Sequence, residues 1–204
     1  IEIAGLFASL LAWGNRKSII NSSNYLLMLM NNKPYRFIMS RAYDDPYNFI
    51  PFMKFVYRTF NVSDLLHLFD FLRFHYWFMG QESLETAFTC DFLYRDKTAS
   101  LIPRENVTTE NSLIAFHNYV FGYDDEAKEE KHCRKHIATP KRKSACKRLN
   151  MFLRWMVRND KKGVDFGIWK NIKPSQLICP LDVHVVRVAR KLGLLQRKQN
   201  DWQT

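Results

Sequence analysis

Apolar residues recur at three- and four-residue spacing along most of the chain, the signature of helices with one buried face. In "IEIAGLFASLLAW" the positions Ile3, Leu6, Phe7, Leu10 and Leu11 share a face, predicting a helix from Glu2 to Trp13 that Gly14 and Asn15 break. A second helix runs through "SIINSSNYLLMLMNN" and ends before Pro34, and Pro46 and Pro51 punctuate a shorter helical piece reaching Arg58. "NVSDLLHLFDFLRFHYWFMG" has Ser63 as candidate N-cap and Gly80 as stop. "ESLETAFTCDFLYR" and "TTENSLIAFHNYVFG" predict two more helices, the second closed by Gly122. A loop from Tyr123 to Lys143 follows, with Pro140 near its end. "SACKRLNMFLRWMVRND" then predicts a helix capped by Ser144, with Leu149, Phe152, Leu153 and Met156 inward. After a linking segment with one helical turn beyond Pro174, Asp182 opens a last helix. Its apolar face is Val185, Val188, Ala189 and Leu192, and Gly193 closes it.

Composition sharpens this into a fold class. Seven Gly and seven Pro among 204 residues are few for a turn-rich β protein, so the expected class is all-α. Apolar residues reach 47%, with 16 Phe, enough for a sizeable core. Four scattered cysteines without a CxxC pair argue against a disulfide framework and for a reducing compartment. Asn, Lys and Arg interrupt every apolar run before membrane-spanning length, and no signal peptide is recognisable. The chain opens at Ile1 inside a helical pattern and stops at "NDWQT" as another begins, which reads as a piece of a longer protein.

Charge then points to a partner. The net charge is +11, and residues 128–148 hold nine Lys/Arg against two Glu, leaving +4 for the other 183 residues. So local a stripe suits phosphate neutralisation, against the alternative of a solvated loop.

Three groups could carry chemistry. Asp182, behind Pro180 and Leu181, stands where a carboxylate caps a helix; N–H donors favour the charged carboxylate, so capping is compatible with catalysis. With Ser144 as N-cap, Lys147 is the third residue of its helix, where the dipole disfavours a cation; that suits an amine acting as nucleophile, and the alternative is one more phosphate contact. "HCRKH" supplies His132, Cys133 and His136, with Cys146 beyond, but the positive surroundings and a spacing that fits no standard finger argue against a metal, and none is expected. No P-loop, Rossmann fingerprint, GxSxG or HExxH occurs.

"LDVHVVRVARKLGL" resembles the "VDTHVxRVxxRLGL" segment of the endonuclease III-like DNA glycosylases, the helix-hairpin-helix superfamily. There the aspartate is catalytic and caps the following helix, and it corresponds to Asp182. "SACKRLNMFLRWMV" resembles the helix after the hairpin, whose early lysine is the Schiff-base nucleophile of bifunctional members and corresponds to Lys147. "IAGLFASLLAWGNR" resembles an early helix that ends near a DNA-contacting loop, which brings in Trp13 and Asn15. With "GVDFGIWK" added, the chain is closer still to a bacterial family of uncharacterised function related to these enzymes. Two departures stand out. The superfamily hairpin carries "LPGVGxKTA", whereas "TPKRKSACK" has no glycine, and Lys147 and Asp182 lie 35 positions apart, a long spacing shared with the archaeal 8-oxoguanine glycosylase branch. The iron–sulfur cysteines of endonuclease III are absent from this sequence.

The resemblance implies an all-α helix-hairpin-helix glycosylase-like fold of two helical lobes with a cleft between them. Residues 1–150 form the lobe ending in the basic hairpin and 151–204 begin the second. The implied activity is a DNA glycosylase, with AP-lyase chemistry through Lys147 and Asp182 and without a cofactor. Lys141, Arg142, Lys143, Ser144, Arg148, Arg187, Arg190, Trp13 and Asn15 would contact nucleic acid. The expected partner is lesion-containing duplex DNA, bound by a monomer in the bacterial cytoplasm at the nucleoid. A non-catalytic nucleic-acid-binding relative and a protein-interaction scaffold are the alternatives.

Overall fold

The computed structural model describes residues 1–93, 98–101, 107–123, 132–160 and 162–204, with the backbone alone for 91–93 and 98–101. Nine α-helices are present among them: α1 Glu2–Leu11, α2 Arg16–Leu29, α3 Pro34–Met39, α4 Pro46–Met53, α5 Val62–Arg73, α6 Thr86–Thr89, α7 Thr109–Val120, α8 Lys147–Val157 and α9 Val183–Lys191. The expected all-α class holds, with one local departure.

That departure lies in the fifth expected helix, over residues 82–95. Only α6 forms there, and the chain then enters β1 (Cys90–Leu93), which pairs antiparallel with β2 (Thr98–Leu101). Thr86 and Thr89 are weak helix formers, and the adjoining "CDFL" finds its backbone partners in the facing strand. Tyr94 and Arg95 of that expected helix lie outside the described residues, as does 124–131 of the basic loop.

Helix starts follow local chemistry. Pro34 and Pro46 take the first positions of α3 and α4, where the missing N–H is no loss. α5 begins with a reciprocal capping box: Asn61 Oδ1 accepts from the N–H groups of Ser63 and Asp64, and Asp64 Oδ2 accepts from Asn61 N–H at 2.9 Å. The cap is therefore Asn61 rather than Ser63, because the side chain two residues earlier reaches both free donors. α5 runs on through a π-turn at Phe74–Phe78 and stops at Gly80, whose φ of +62° suits glycine.

The core runs from Ile3 to Ile172 as one cluster rich in aromatic rings. At its centre Phe69 meets Phe7, Phe37, Tyr43 and Phe52 at centroid distances of 5.3–5.9 Å. α8 buries the face expected of it, with Leu149, Phe152, Leu153 and Met156 all inward. It lies against α1 at Gly5, where even a Cβ would come within 2.9 Å of Met156 Cε. α9 differs from expectation. Val188 and Leu192 remain exposed, at 51% and 67%, and Val186 is the residue the helix buries.

Candidate functional site

The basic stretch before α8 folds as a tight double turn. Pro140–Arg142 makes a 3-10 turn, and Lys143 follows with φ +58°. The Ser144 hydroxyl accepts from Cys146 N–H at 3.2 Å, and Cys146 itself has φ +47°. The left-handed conformation costs a non-glycine residue about 1–2 kcal/mol. Two such residues three positions apart mark a turn that the rest of the fold enforces. The helix begins at Lys147, so Lys147 is its first residue and not the third, and Cys146 rather than Ser144 holds the N-cap position without a side-chain cap. Ser144 stabilises the turn instead. Lys141, Arg142, Lys143 and Lys147 all point to solvent. The N–H groups opening an uncapped helix add a partial positive charge to theirs.

Arg148 is half-buried. Its Nη1 donates to the Leu10 carbonyl at 2.6 Å and its Nη2 to the Lys135 carbonyl at 3.3 Å. Burial lowers its pKa. The guanidinium expected at phosphate ties the end of α1 to the start of α8. Trp13 is part of the same arrangement, with the Arg58 guanidinium 4.9 Å and that of Arg148 5.8 Å from its ring, Tyr57 edge-on at 6.2 Å, and its carbonyl accepting from the Tyr57 hydroxyl at 2.6 Å. Asn15 caps α2, accepting from the N–H groups of Lys17 at 2.9 Å and Ser18 at 3.4 Å. The α1–α2 connection therefore meets the start of α8 at Trp13.

Asp182 caps α9 as the sequence indicates: its exposed carboxylate accepts from Val185 N–H at 2.7 Å. Arg187 is exposed. Arg190, expected at phosphate, is occupied within the chain, donating to the carbonyls of Arg197 and Lys198 at 3.0 and 2.7 Å and to Asn200 Oδ1 at 2.8 Å. This anchors the C-terminal segment, which returns to the basic turn: Trp202 N–H donates to the Lys143 carbonyl at 3.1 Å. The helix that Asp182 opens and the turn that precedes Lys147 are in this way connected through residues 197–202. Beside the link lies a cavity of about 490 Å³ lined by Val107, Thr108, Glu110, Gln176, Ile178 and Trp202. Thr109 donates to the Gln176 carbonyl and the Gln176 amide to the Val107 carbonyl, so its floor is fixed.

A further cluster escaped the sequence reading. Asp64 lies between two histidines of the "HCRKH" stretch, with His132 Nδ1 2.9 Å from Oδ1 and His136 Nε2 3.4 Å from Oδ2. Burial pushes the Asp64 pKa up, but hydrogen bonds from His136, Asn61 N–H and His132 outweigh it and hold the pKa below the ordinary value. Sequence supplied the histidines but not Asp64, 68 residues earlier than His132; an acidic residue in a first helical turn reads as a cap, which it also is. The two cysteines weighed with these histidines are buried and take no part in the three-residue group, and burial raises the Cys146 thiol to about 11.

No helix among the described residues is long and apolar enough to cross a membrane. No curated protein and no solved structure matches the sequence. A family model does, over residues 1–204, and the chain belongs to that family, described as a protein of unknown function (DUF2400).

Proposed function

We propose that this DUF2400 chain is a DNA-repair glycosylase acting on a damaged base flipped out of the duplex, with Lys147 as nucleophile of an accompanying AP-lyase step and Asp182 as the carboxylate beside the sugar. The observation that carries the reading is the basic turn itself. Lys143 and Cys146 adopt the left-handed backbone that glycine takes most readily, so a stretch without glycine still makes a compact turn into α8. Around it stand the exposed Lys141, Arg142 and Lys143, with Lys147 first in the helix. Such a turn can hold phosphate through backbone N–H groups and cations together.

The remaining parts follow from that grip. Everting a base costs a few kcal/mol and least at a lesion. The cavity beside Trp202 offers an indole for stacking, an apolar wall at Ile178 and the polar Glu110 and Thr108 for an edge. The Lys147 amine nitrogen attacks the sugar C1′; the glycosidic bond breaks and its electron pair leaves with the base. Ring opening and loss of the nitrogen proton give the Schiff base, from which β-elimination nicks the strand. Asp182, fixed by Val185 N–H, stabilises positive charge at the sugar.

Borohydride reduction on duplexes carrying an abasic site or a damaged base tests this reading. A covalent adduct is expected from the native chain, none from Lys147→Ala, and a much reduced yield from Asp182→Asn. The exposure of both Lys147 and Asp182 favours a second reading, a non-catalytic nucleic-acid-binding protein. Salt-sensitive duplex binding with neither adduct nor base release would select it.

A further inference from the structure

We infer that Asp64, His132 and His136 form a binding site for a divalent first-row transition ion, with zinc as the natural probe. The three ligand-type atoms all lie within 4.8 Å of one another, close enough to converge on one ion with small side-chain adjustments. The inference stands independently of the glycosylase reading.

Two of the ligands are held by the core and one by the surface. The Asp64 carboxylate is 0% exposed, positioned by the capping box of α5. The His136 ring is 2% exposed and is backed by Phe60, 4.9 Å between centroids. His132 is 43% exposed, which gives an ion a way in and leaves solvent to complete its shell. The short 3-10 turn Cys133–Lys135 separates the two histidines and brings both rings to the same carboxylate. Two imidazoles and a carboxylate form a donor set suited to zinc, cobalt or iron rather than to magnesium or calcium.

The basic surroundings, which argued against a metal in the sequence, are offset by a carboxylate that the sequence did not place there. Among the described residues Lys135 is the cation that bears directly on a ligand: its ammonium is 2.6 Å from His132 Nε2, so that nitrogen accepts and the ring proton sits on Nδ1, toward Asp64, while His136 Nε2 also faces the Thr59 carbonyl at 3.2 Å. An ion taking Nδ1 sends that proton to Nε2, and the exposed Lys135 turns out to solvent. Lys135 thus competes with the metal. An ion in this position would pin the segment leading into the basic turn to the start of α5.

Calorimetric titration of the metal-stripped chain with zinc, and of the same chain with cobalt under visible absorption, tests the site. Cys179→Ser is carried throughout so that the exposed thiol supplies no ligand. One ion per chain with micromolar or tighter affinity is expected, with a four-coordinate cobalt spectrum. His132→Ala should weaken binding about tenfold or more, and Lys135→Met should tighten it several-fold. Absence of saturable binding overturns the inference, as does binding that both substitutions leave unchanged. His132 is a surface ligand, and an unaltered circular dichroism spectrum of His132→Ala shows that lost affinity is not lost fold.

Discussion

At the scale of single residues, the fold determines which titratable groups serve stability and which remain available. His75 is one that the interior has claimed. Nε2–H donates to the Ser83 carbonyl at 3.0 Å, and Nδ1 accepts from the Tyr119 hydroxyl at 3.2 Å. Burial lowers its pKa from 6.5 to about 4, against smaller opposing effects of the Ser83 bond and the Glu2 charge. The folded ring is therefore neutral at pH values where the unfolded chain protonates it. Stability contributed by the neutral ring is complete above the unfolded value, declines as pH falls from about 6.5 to 4, and levels off below. The contribution is about 3 kcal/mol over that interval. Urea unfolding between pH 7 and 4 should show a shallower decline in His75→Gln than in the native chain. Arg148 makes the related point for legibility. Its sequence neighbourhood is a run of surface cations, and nothing local distinguishes it from Lys147; only the packing of α8 on α1 delivers its guanidinium to the Leu10 carbonyl. Asp182 was legible because capping is a local event between a residue and the next three, needing no tertiary context.

At the scale of elements, the close contact between α1 and α8 positions the candidate site. Gly5 lies mid-helix in α1, where glycine costs helix stability, and its reason is Met156 Cε and Phe152 Cε2 at 2.9 and 3.4 Å from where a Cβ would stand. Alanine there meets the mobile end of Met156, and its better helix propensity offsets part of that clash. Valine adds two branches that reach the fully buried Phe152, and overpacking of this kind costs about 1–3 kcal/mol. Gly5→Val should lower the thermal midpoint measurably and Gly5→Ala far less. The apolar faces of α1 and α8 could be read from periodicity because both helices bury that face fully. The same periodicity misjudged α9, where Val188 and Leu192 meet solvent while Val186 turns inward. Periodicity identifies a face but not what lies opposite it. The hairpin at Cys90 was missed for a related reason: a four-residue strand is shorter than the window in which period two and period 3.6 separate.

At the scale of the whole molecule, the charge excess of the sequence divides into two populations. Lys141, Arg142 and Lys143 are exposed on the turn before α8, whereas Arg148 and Arg190 are bonded within the chain. A net charge of +11 cannot distinguish them, yet a cation releases a counterion from a polyanion only where it reaches a phosphate. Replacing Lys141, Arg142 and Lys143 together by alanine should reduce the slope of log Kd against log salt by about 2–3 on duplex DNA, roughly one for each phosphate no longer neutralised. Arg148→Ala should instead leave the slope unchanged and lower stability by about 1–3 kcal/mol, because the Leu10 carbonyl at the end of α1 loses its charged donor. Fluorescence anisotropy across a salt series, with thermal melts of the same variants, measures both. Equal slopes for the triple variant and the native chain would mean that the basic turn is not where the polyanion binds. The proposed roles of Lys147 and Asp182 would then lose the phosphate grip from which they are argued, and the cost of everting a base would have no binding energy at this turn to offset it.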